Sequence, residues 1–310
     1  MSTMRIAVAG TGGLAREIAR EIHESTSYQL LILSRSPPPD LLSQGYQCQV
    51  VDYTDSSSIQ HSLMGVDSII STVTGNAQLL LIEAAVACRV RRFAPAEFEG
   101  QPGLRAQGDP LDRGRAAALA LLQHYRAYIQ STVFVCGILY ERFSVGGMRS
   151  HSIGVNTGYS NEGDYILDAR NMTATVPGYD SVGNLSFLCM TSARDVARFV
   201  VRSLDLPSWP QELSMCGERM SVSTLINTVQ ACRGRVFNSA VWQNPQGLQY
   251  ELTLAQMAGD VPRQRRTSTL IATAEGRYDF VAPAFLNAQF PDIQPLTFQV
   301  WFANNWGAVP

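Results

Sequence analysis

The run Ile6-Ala7-Val8-Ala9-Gly10-Thr11-Gly12-Gly13-Leu14-Ala15-Arg16-Glu17-Ile18-Ala19 constrains the fold of this chain more than any other segment. It reads as an apolar strand, a glycine turn and an amphipathic helix, and Gly10, Gly12 and Ala15 match the G-x-G-x-x-G/A spacing of a dinucleotide-binding βαβ unit. Gly10 permits the tight turn, Gly12 lets backbone approach a pyrophosphate, and Ala15 lets helix and strand pack closely. The helix start offers unpaired N–H groups and a partial positive charge. The expected phosphate cradle is therefore Gly10, Thr11, Gly12, Gly13 and Leu14.

Up to about residue 145 the same alternation repeats, which points to an α/β fold built on a parallel sheet. Expected strands are Arg5–Ala9, Gln29–Ser34, Gln47–Asp52, Ser68–Thr72, Arg92–Pro95 and Thr132–Cys136. Helices are expected at Leu14–Glu24, Ala77–Cys88 and Arg113–Tyr128, and Ser36-Pro37-Pro38-Pro39 reads as a loop. Beyond that point glycine and asparagine dominate (Gly146, Gly147, Gly154, Asn156, Gly158, Asn161, Gly163), as in loops and short strands. A helix is expected from Ser192 to Leu204, with Ser192 as N-cap and Asp195 completing a capping box, and another from Met220 to Cys232.

An NAD site places a carboxylate at the end of the second strand, where it binds both ribose hydroxyls. Here that strand ends Ile32-Leu33-Ser34-Arg35-Ser36. Arg35 suits a forked contact with a 2′-phosphate, with Ser34 or Ser36 as further donors, so NADP(H) is the expected cofactor. Asp52-Tyr53, at the end of the third strand, either edges the adenine or forms a strand-end turn.

The basic residues narrow the chemistry. All 24 are arginine, so there is no Schiff-base lysine, no P-loop lysine, no Tyr-x-x-x-Lys pair and no lysine acid or base. Guanidinium stays protonated at any working pH and cannot take over proton transfer. The formal charge of −2 argues against nucleic acid as a partner. The clusters Arg89/Arg91/Arg92 and Arg263/Arg265/Arg266 read as solvated edges. The 6 cysteines lack C-x-x-C spacing and read as reduced core thiols, and the 4 histidines lack a metal-ligand spacing, so no metal is expected. Ile6 to Ala9 is too short for a signal segment and no run approaches a membrane span, which makes a cytoplasmic location the expectation.

The later strand ends add a family likeness. Arg35, Gln78 after the fourth strand, Arg92-Phe93-Ala94-Pro95-Ala96-Glu97-Phe98 at the fifth, Thr132 to Phe143 at the sixth and Thr191-Ser192-Ala193-Arg194-Asp195-Val196-Ala197-Arg198-Phe199 all contribute. With the glycine turn, they resemble the NmrA-like and isoflavone reductase-like family of atypical short-chain dehydrogenases, of the fungal secondary-metabolism type. The resemblance implies a Rossmann, doubly wound parallel sheet in residues 1–150. It also implies a smaller substrate domain in 151–310, with roughly 185–217 returning to the first. NADPH would be hydride donor, its nicotinamide lying against Thr72, Val73 and Thr74, Pro95 to Phe98 (with Ala96), and Gly137 to Tyr140, and Gln78 would belong to the cofactor site.

Two departures stand out against the family's pattern. The position of its reductase lysine is Arg115, in Pro110-Leu111-Asp112-Arg113-Gly114-Arg115, and the serine of its Pro-Ser-Glu-Phe segment is Ala96. Hydride delivery to a ketone or enone needs an acid or strong oxyanion stabilisation, whereas delivery to an iminium ion does not. The expected activity is thus NADP(H)-dependent oxidoreduction, or redox-assisted cyclisation of Diels–Alder type, on a nitrogen-containing secondary metabolite such as an indole alkaloid. Arg115, Asp112, Glu97 and Tyr140 are the candidate catalytic groups. Asp112 has a helix cap as its alternative role, Glu97 a loop anchor and Tyr140 plain packing, and Tyr179 either lines a pocket or does not. Trp301 and Trp306 read as docking the C-terminal segment. The other function class is a non-catalytic NADP-sensing regulator with a protein partner; the oligomeric expectation is monomer or homodimer.

Overall fold

Ile6, Ala7, Val8 and Ala9 have no solvent exposure, the mark of a strand covered by helices on both faces. In the computed structural model, which describes residues 4–280 and 285–307, they form β1 (Arg5–Ala9). The chain continues through α1 (Gly13–Ser25), β2 (Gln29–Ser34), α2 (Pro39–Ser43), β3 (Cys48–Val50), α3 (Ser56–Ser62), β4 (Ser68–Ser71), α4 (Asn76–Ala87), β5 (Arg92–Ala94), α5 (Arg115–His124) and β6 (Gln130–Ser131). The sheet runs in the order β3-β2-β1-β4-β5-β6 with every pairing parallel, a Rossmann arrangement. Leu14, Ile18 and Ile22 recur every four residues on α1 and bury one stripe of it.

The expected sixth strand splits. Only Gln130 and Ser131 pair with β5, and Val133–Val135 leaves for a three-stranded sheet with Phe98–Glu99 and Glu212–Ser214. Helix α5 begins at Arg115 rather than Arg113, because Arg113 and Gly114 both take positive φ, 52° and 80°, which a right-handed helix excludes.

Two units divide the described chain. The first comprises residues up to Phe98, Asp112–Phe134 and Ala197–Leu213; the second comprises Glu99–Leu111, Val135–Val196 and residues from Ser214 onward. The expected boundary at 150 therefore lies inside the second unit, and the returning segment is shorter than 185–217. The reason is strand pairing: Phe187–Thr191 joins Glu218–Ser221 and Ile138–Leu139 rather than the six-stranded sheet. The same pairing consumes the start of the helix expected at Met220, which begins at Val222 with Ser221 as cap.

In the second unit the core is aromatic. Phe298, Trp301, Phe302 and Trp306 of the helix Phe298–Trp306 are buried, and the Trp306 indole N–H donates to the Phe143 carbonyl at 2.7 Å. Arg277 is 2% exposed and donates to Glu99 (2.7 Å) and Asp109 (3.1 Å). At the helix Ala193–Ser203 the expected cap is present: Ser192 Oγ accepts the Asp195 N–H at 3.0 Å and donates to its carboxylate at 2.8 Å. Buried Glu141 adds to it by accepting the Ala193 N–H. Among the described residues no helix is long and apolar enough to cross a membrane. The cysteines are unbridged, with Cys136, Cys189 and Cys216 buried.

Arg92 is not a solvated edge residue. It is 5% exposed, lies over the Trp209 ring at 5.3 Å and donates to the carbonyls of Leu204 (2.8 Å), Leu206 (2.6 Å) and Pro207 (3.1 Å) and to Gln130 Oε1 (3.2 Å). A planar fork satisfies these acceptors together, and a lysine point charge would not. Replacing Arg92 with Met should therefore lower stability by about 3 kcal/mol or more, since hydrogen bonds from charged groups contribute about 1.5–3 kcal/mol each. Urea unfolding followed by circular dichroism measures it, and a loss below about 1 kcal/mol would show that the fork is dispensable.

Candidate functional site

At Gly10 the backbone has φ of +114°, and a Cβ there would collide with the Thr72 hydroxyl. The approach is close because Thr72 N–H and Oγ1 both donate to the Ala9 carbonyl, at 2.8 and 2.9 Å, while Gly10 N–H donates to Leu33 at 2.9 Å. The end of β1 is thus fastened to β2 on one side and to the loop after β4 on the other. Helix α1 has Gly12 as N-cap with no side-chain cap, so its first N–H groups are available to an anion. Arg16 braces the turn by donating Nε to the Thr11 carbonyl at 2.9 Å, and it pairs with Asp40. That hydrogen bond holds the Asp40 carboxyl below its usual range. Sequence reasoning missed Arg16, whose only signal was a basic residue one turn into the helix.

At the end of β2, Arg35 is exposed and Ser34 buried. The Ser34 hydroxyl donates to the Ser36 carbonyl at 2.6 Å, so it shapes the turn that presents Arg35. Burial raises the Tyr53 phenol, and the charge of Arg35 opposes the rise. Asp52 accepts Thr54 N–H (2.8 Å) and Oγ1 (2.7 Å): it makes the strand-end turn.

The loops after β4 and β5 are tied to the start of α5. Gly75 N–H donates to the Arg113 carbonyl at 3.0 Å, and a Cβ on Gly114 would lie 3.1 Å from Gly75 Cα. Gly114 is therefore both a positive-φ residue and the one that allows two backbones to touch. Gln78, fully buried at the start of α4, accepts the Ala96 N–H on Oε1 at 2.6 Å, which fixes the Pro95–Phe98 loop. Its Nε2 is buried without a hydrogen-bond partner, a donor held at the carboxyl end of the sheet. Val73 and Thr74 are half-buried in the loop after β4, Pro95 and Ala96 are buried, and Phe98 stacks on Phe134 at 5.7 Å.

Asp112 caps α5, accepting the N–H groups of Gly114 and Ala116, each at 3.0 Å. Arg115 donates Nε to the Asp112 carbonyl at 3.2 Å, and its Nη1 lies 3.7 Å from Glu97 Oε1. The pair is enclosed, with side chains 12% and 1% exposed. Arg115 is thus a fixed, carboxylate-balanced cation, held by the loop and helix start that also carry Glu97 and Asp112. A dinucleotide fits these residues: an uncapped helix start, a glycine turn where a Cβ at Gly10 would collide with Thr72, and an orphaned buried amide donor.

No protein-family model matches the chain. It is similar to the oxidoreductase BOA1 of Botryotinia fuckeliana, 28% identical over 248 residues, 76% of this chain and 78% of that protein. Among solved structures, AtPrR2 with NADP+ and (+)-pinoresinol matches with a TM-score of 0.75 at 16% identity, over 98% of this chain and 99% of that one. The ternary complex of leucoanthocyanidin reductase from Vitis vinifera gives 0.71 at 16% identity, over 97% and 98%. The chain shares the fold of these two solved structures.

Within this fold Tyr140 takes the packing role and not that of a pocket phenol. It has no exposure, donates its hydroxyl to the Leu296 carbonyl at 3.1 Å and packs against Phe298 and Trp301 at 5.3 and 5.5 Å. Burial pushes its pKa well above that of a free phenol, so it serves packing. Tyr179, in the second unit, is 43% exposed and lies 6.4 Å from Trp242.

Replacing Gln78 with Leu leaves the buried Ala96 N–H without an acceptor, and should cost about 1–3 kcal/mol in unfolding free energy. Denaturant titration of the variant beside the unaltered protein measures it. A loss below about 0.5 kcal/mol would mean that the hydrogen bond to Ala96 does not hold the loop.

Proposed function

We propose that this protein is an NADP(H)-dependent oxidoreductase acting on a small molecule, and that its hydride partner is an iminium ion or azadiene of a nitrogen-containing metabolite. The observation that carries the reading is the Arg115–Glu97 pair, 3.7 Å apart where the resembled reductases have a lysine. The cofactor part draws on the NADP+ held by AtPrR2, the oxidoreductase name of BOA1 and the absence of a carboxylate at the end of β2, where Arg35 stands instead.

When bound, NADPH supplies a hydride. Gly10 to Leu14 hold its phosphates on the helix start, and Arg35 grips the 2′-phosphate. Arg115 contributes charge without a transferable proton, and Glu97 offsets that charge, which suits a cationic substrate better than a developing oxyanion. Reduction of an iminium carbon gives a neutral amine and needs no acid at that carbon. Indole alkaloids are the substrate class we assign, with reduction coupled to ring closure as the finer form of the activity.

Two experiments test this. Arg35→Ala should raise the Kd for NADPH about 10- to 100-fold and leave NADH nearly unchanged, because a charge-assisted hydrogen bond contributes about 1.5–3 kcal/mol. Equal effects on both nucleotides would remove the cofactor choice. In steady-state assays of NADPH consumption, a cyclic iminium salt should be reduced with a kcat/KM at least about 100-fold above that of an enone of similar size, the usual contribution of a general acid being about 10²–10⁴. Arg115→Lys should narrow the gap by raising enone reduction. A preference for the enone in the unaltered protein would overturn the substrate reading, and tight NADPH binding with no turnover would favour the regulator.

A further inference from the structure

The expectation that Arg265 and Arg266 form a solvated edge also fails, and the reason points to a second binding site, within the second unit. Both are half-buried on the helix Val261–Ala274, and the Nε atom of each is buried without a hydrogen-bond partner. Arg265 extends its Nη1 against Gly158, close enough that a Cβ there would collide with it. Arg266 reaches Thr175 Oγ1 at 3.4 Å. From a different element, Arg142 lies over the ring of Tyr159 at 4.6 Å and that of Tyr165 at 5.8 Å, and donates to the Tyr159 carbonyl at 3.4 Å. Tyr159 and Tyr165 are 2% and 1% exposed, so Arg142 rests on two buried rings.

Arg142 and Arg265 thus meet at Gly158 and Tyr159, and Arg266, the next residue on the helix, bears electrostatically on the same phenol. None forms an ion pair with a carboxylate among the described residues, although Arg16, Arg20, Arg115, Arg170, Arg219, Arg263 and Arg277 each have one. The nearby Asp164 accepts the Asn161 N–H at 2.7 Å. Burial pushes the Tyr159 phenol up to about 12, against the opposing pull of Arg142 and Arg266. Like charges held together on a low-dielectric floor repel one another unless an anion joins them, and guanidinium forks match the oxygens of carboxylate and phosphate.

We infer that Arg142, Arg265 and Arg266 form a binding site for an oxyanion group, carboxylate, phosphate or sulfate, on a ligand of this protein. The assignment stands apart from the dinucleotide reading, because all of its residues belong to the second unit.

Thermal unfolding of the full chain, saturated with NADPH, tests the inference with inorganic phosphate, sulfate and benzoate, each against chloride at equal ionic strength. Saturating the nucleotide keeps the glycine turn from contributing. At least one of the three anions should raise Tm in a saturable way, by mass action on the folded state. Which of them does so identifies the oxyanion. Arg265→Gln and Arg142→Met should each weaken the apparent Kd at least tenfold, and Arg91→Gln, at an exposed arginine of the first unit, should leave it unchanged. The Arg142 variant removes packing from two buried rings, so if it fails to fold, Arg265→Gln alone decides between the outcomes. No saturable rise beyond chloride for any of the three anions would overturn the site, and so would a response in Arg265→Gln equal to that of the unaltered protein.

Discussion

The contact between the end of β1 and the loop after β4 is the constraint on which the candidate site depends. Thr72 gives both its N–H and its hydroxyl to the Ala9 carbonyl, and it can do so only because residue 10 has no Cβ. With that contact made, α1 starts at the carboxyl edge of the sheet with its first N–H groups uncapped. Gly75 and Gly114 repeat the device one loop further on, where backbone meets backbone and Arg115 is carried to Glu97. The site is built from close approaches of main chain, and side chains of fixed geometry fill what remains.

Arginine does work in this chain that other proteins divide between two residue types. Arg92 uses its fork to hold three carbonyls after the helix Ala193–Ser203. Arg277 occupies a buried position between two carboxylates, and Arg16 braces the glycine turn. A group that is planar and always charged suits such fixed roles and not proton transfer. The absence of lysine therefore bears on structure as much as on chemistry.

Much of the first unit is legible in the sequence because its signals are local. The strands Arg5–Ala9 and Gln29–Ser34 follow from short apolar runs between glycine or polar breaks, and the structure has both with those bounds. The Ser192–Asp195 pair is readable for the same reason, since both residues lie within one helical turn. Arg92, Arg265 and Arg266 escape a local reading because burial of a long side chain depends on partners far away in sequence; for Arg92 these lie more than a hundred residues on. Tyr140 is ambiguous for a like reason, and the helix that encloses it begins only at Phe298.

Residue identity, local spacing and the period of burial are enough to dictate the parallel sheet, the glycine turn, the lack of a carboxylate at the end of β2 and the exclusion of lysine chemistry. Packing in three dimensions was needed to settle that the sixth strand splits after Ser131 and that the second unit begins at Val135 in that stretch. It was needed too for the cap that Asp112 places on α5, for the approach of Arg115 to Glu97, and for the place of Tyr140 in a core. Those outcomes depend on which distant backbone groups and side chains arrive at the same place, and nothing along the chain alone specifies that meeting.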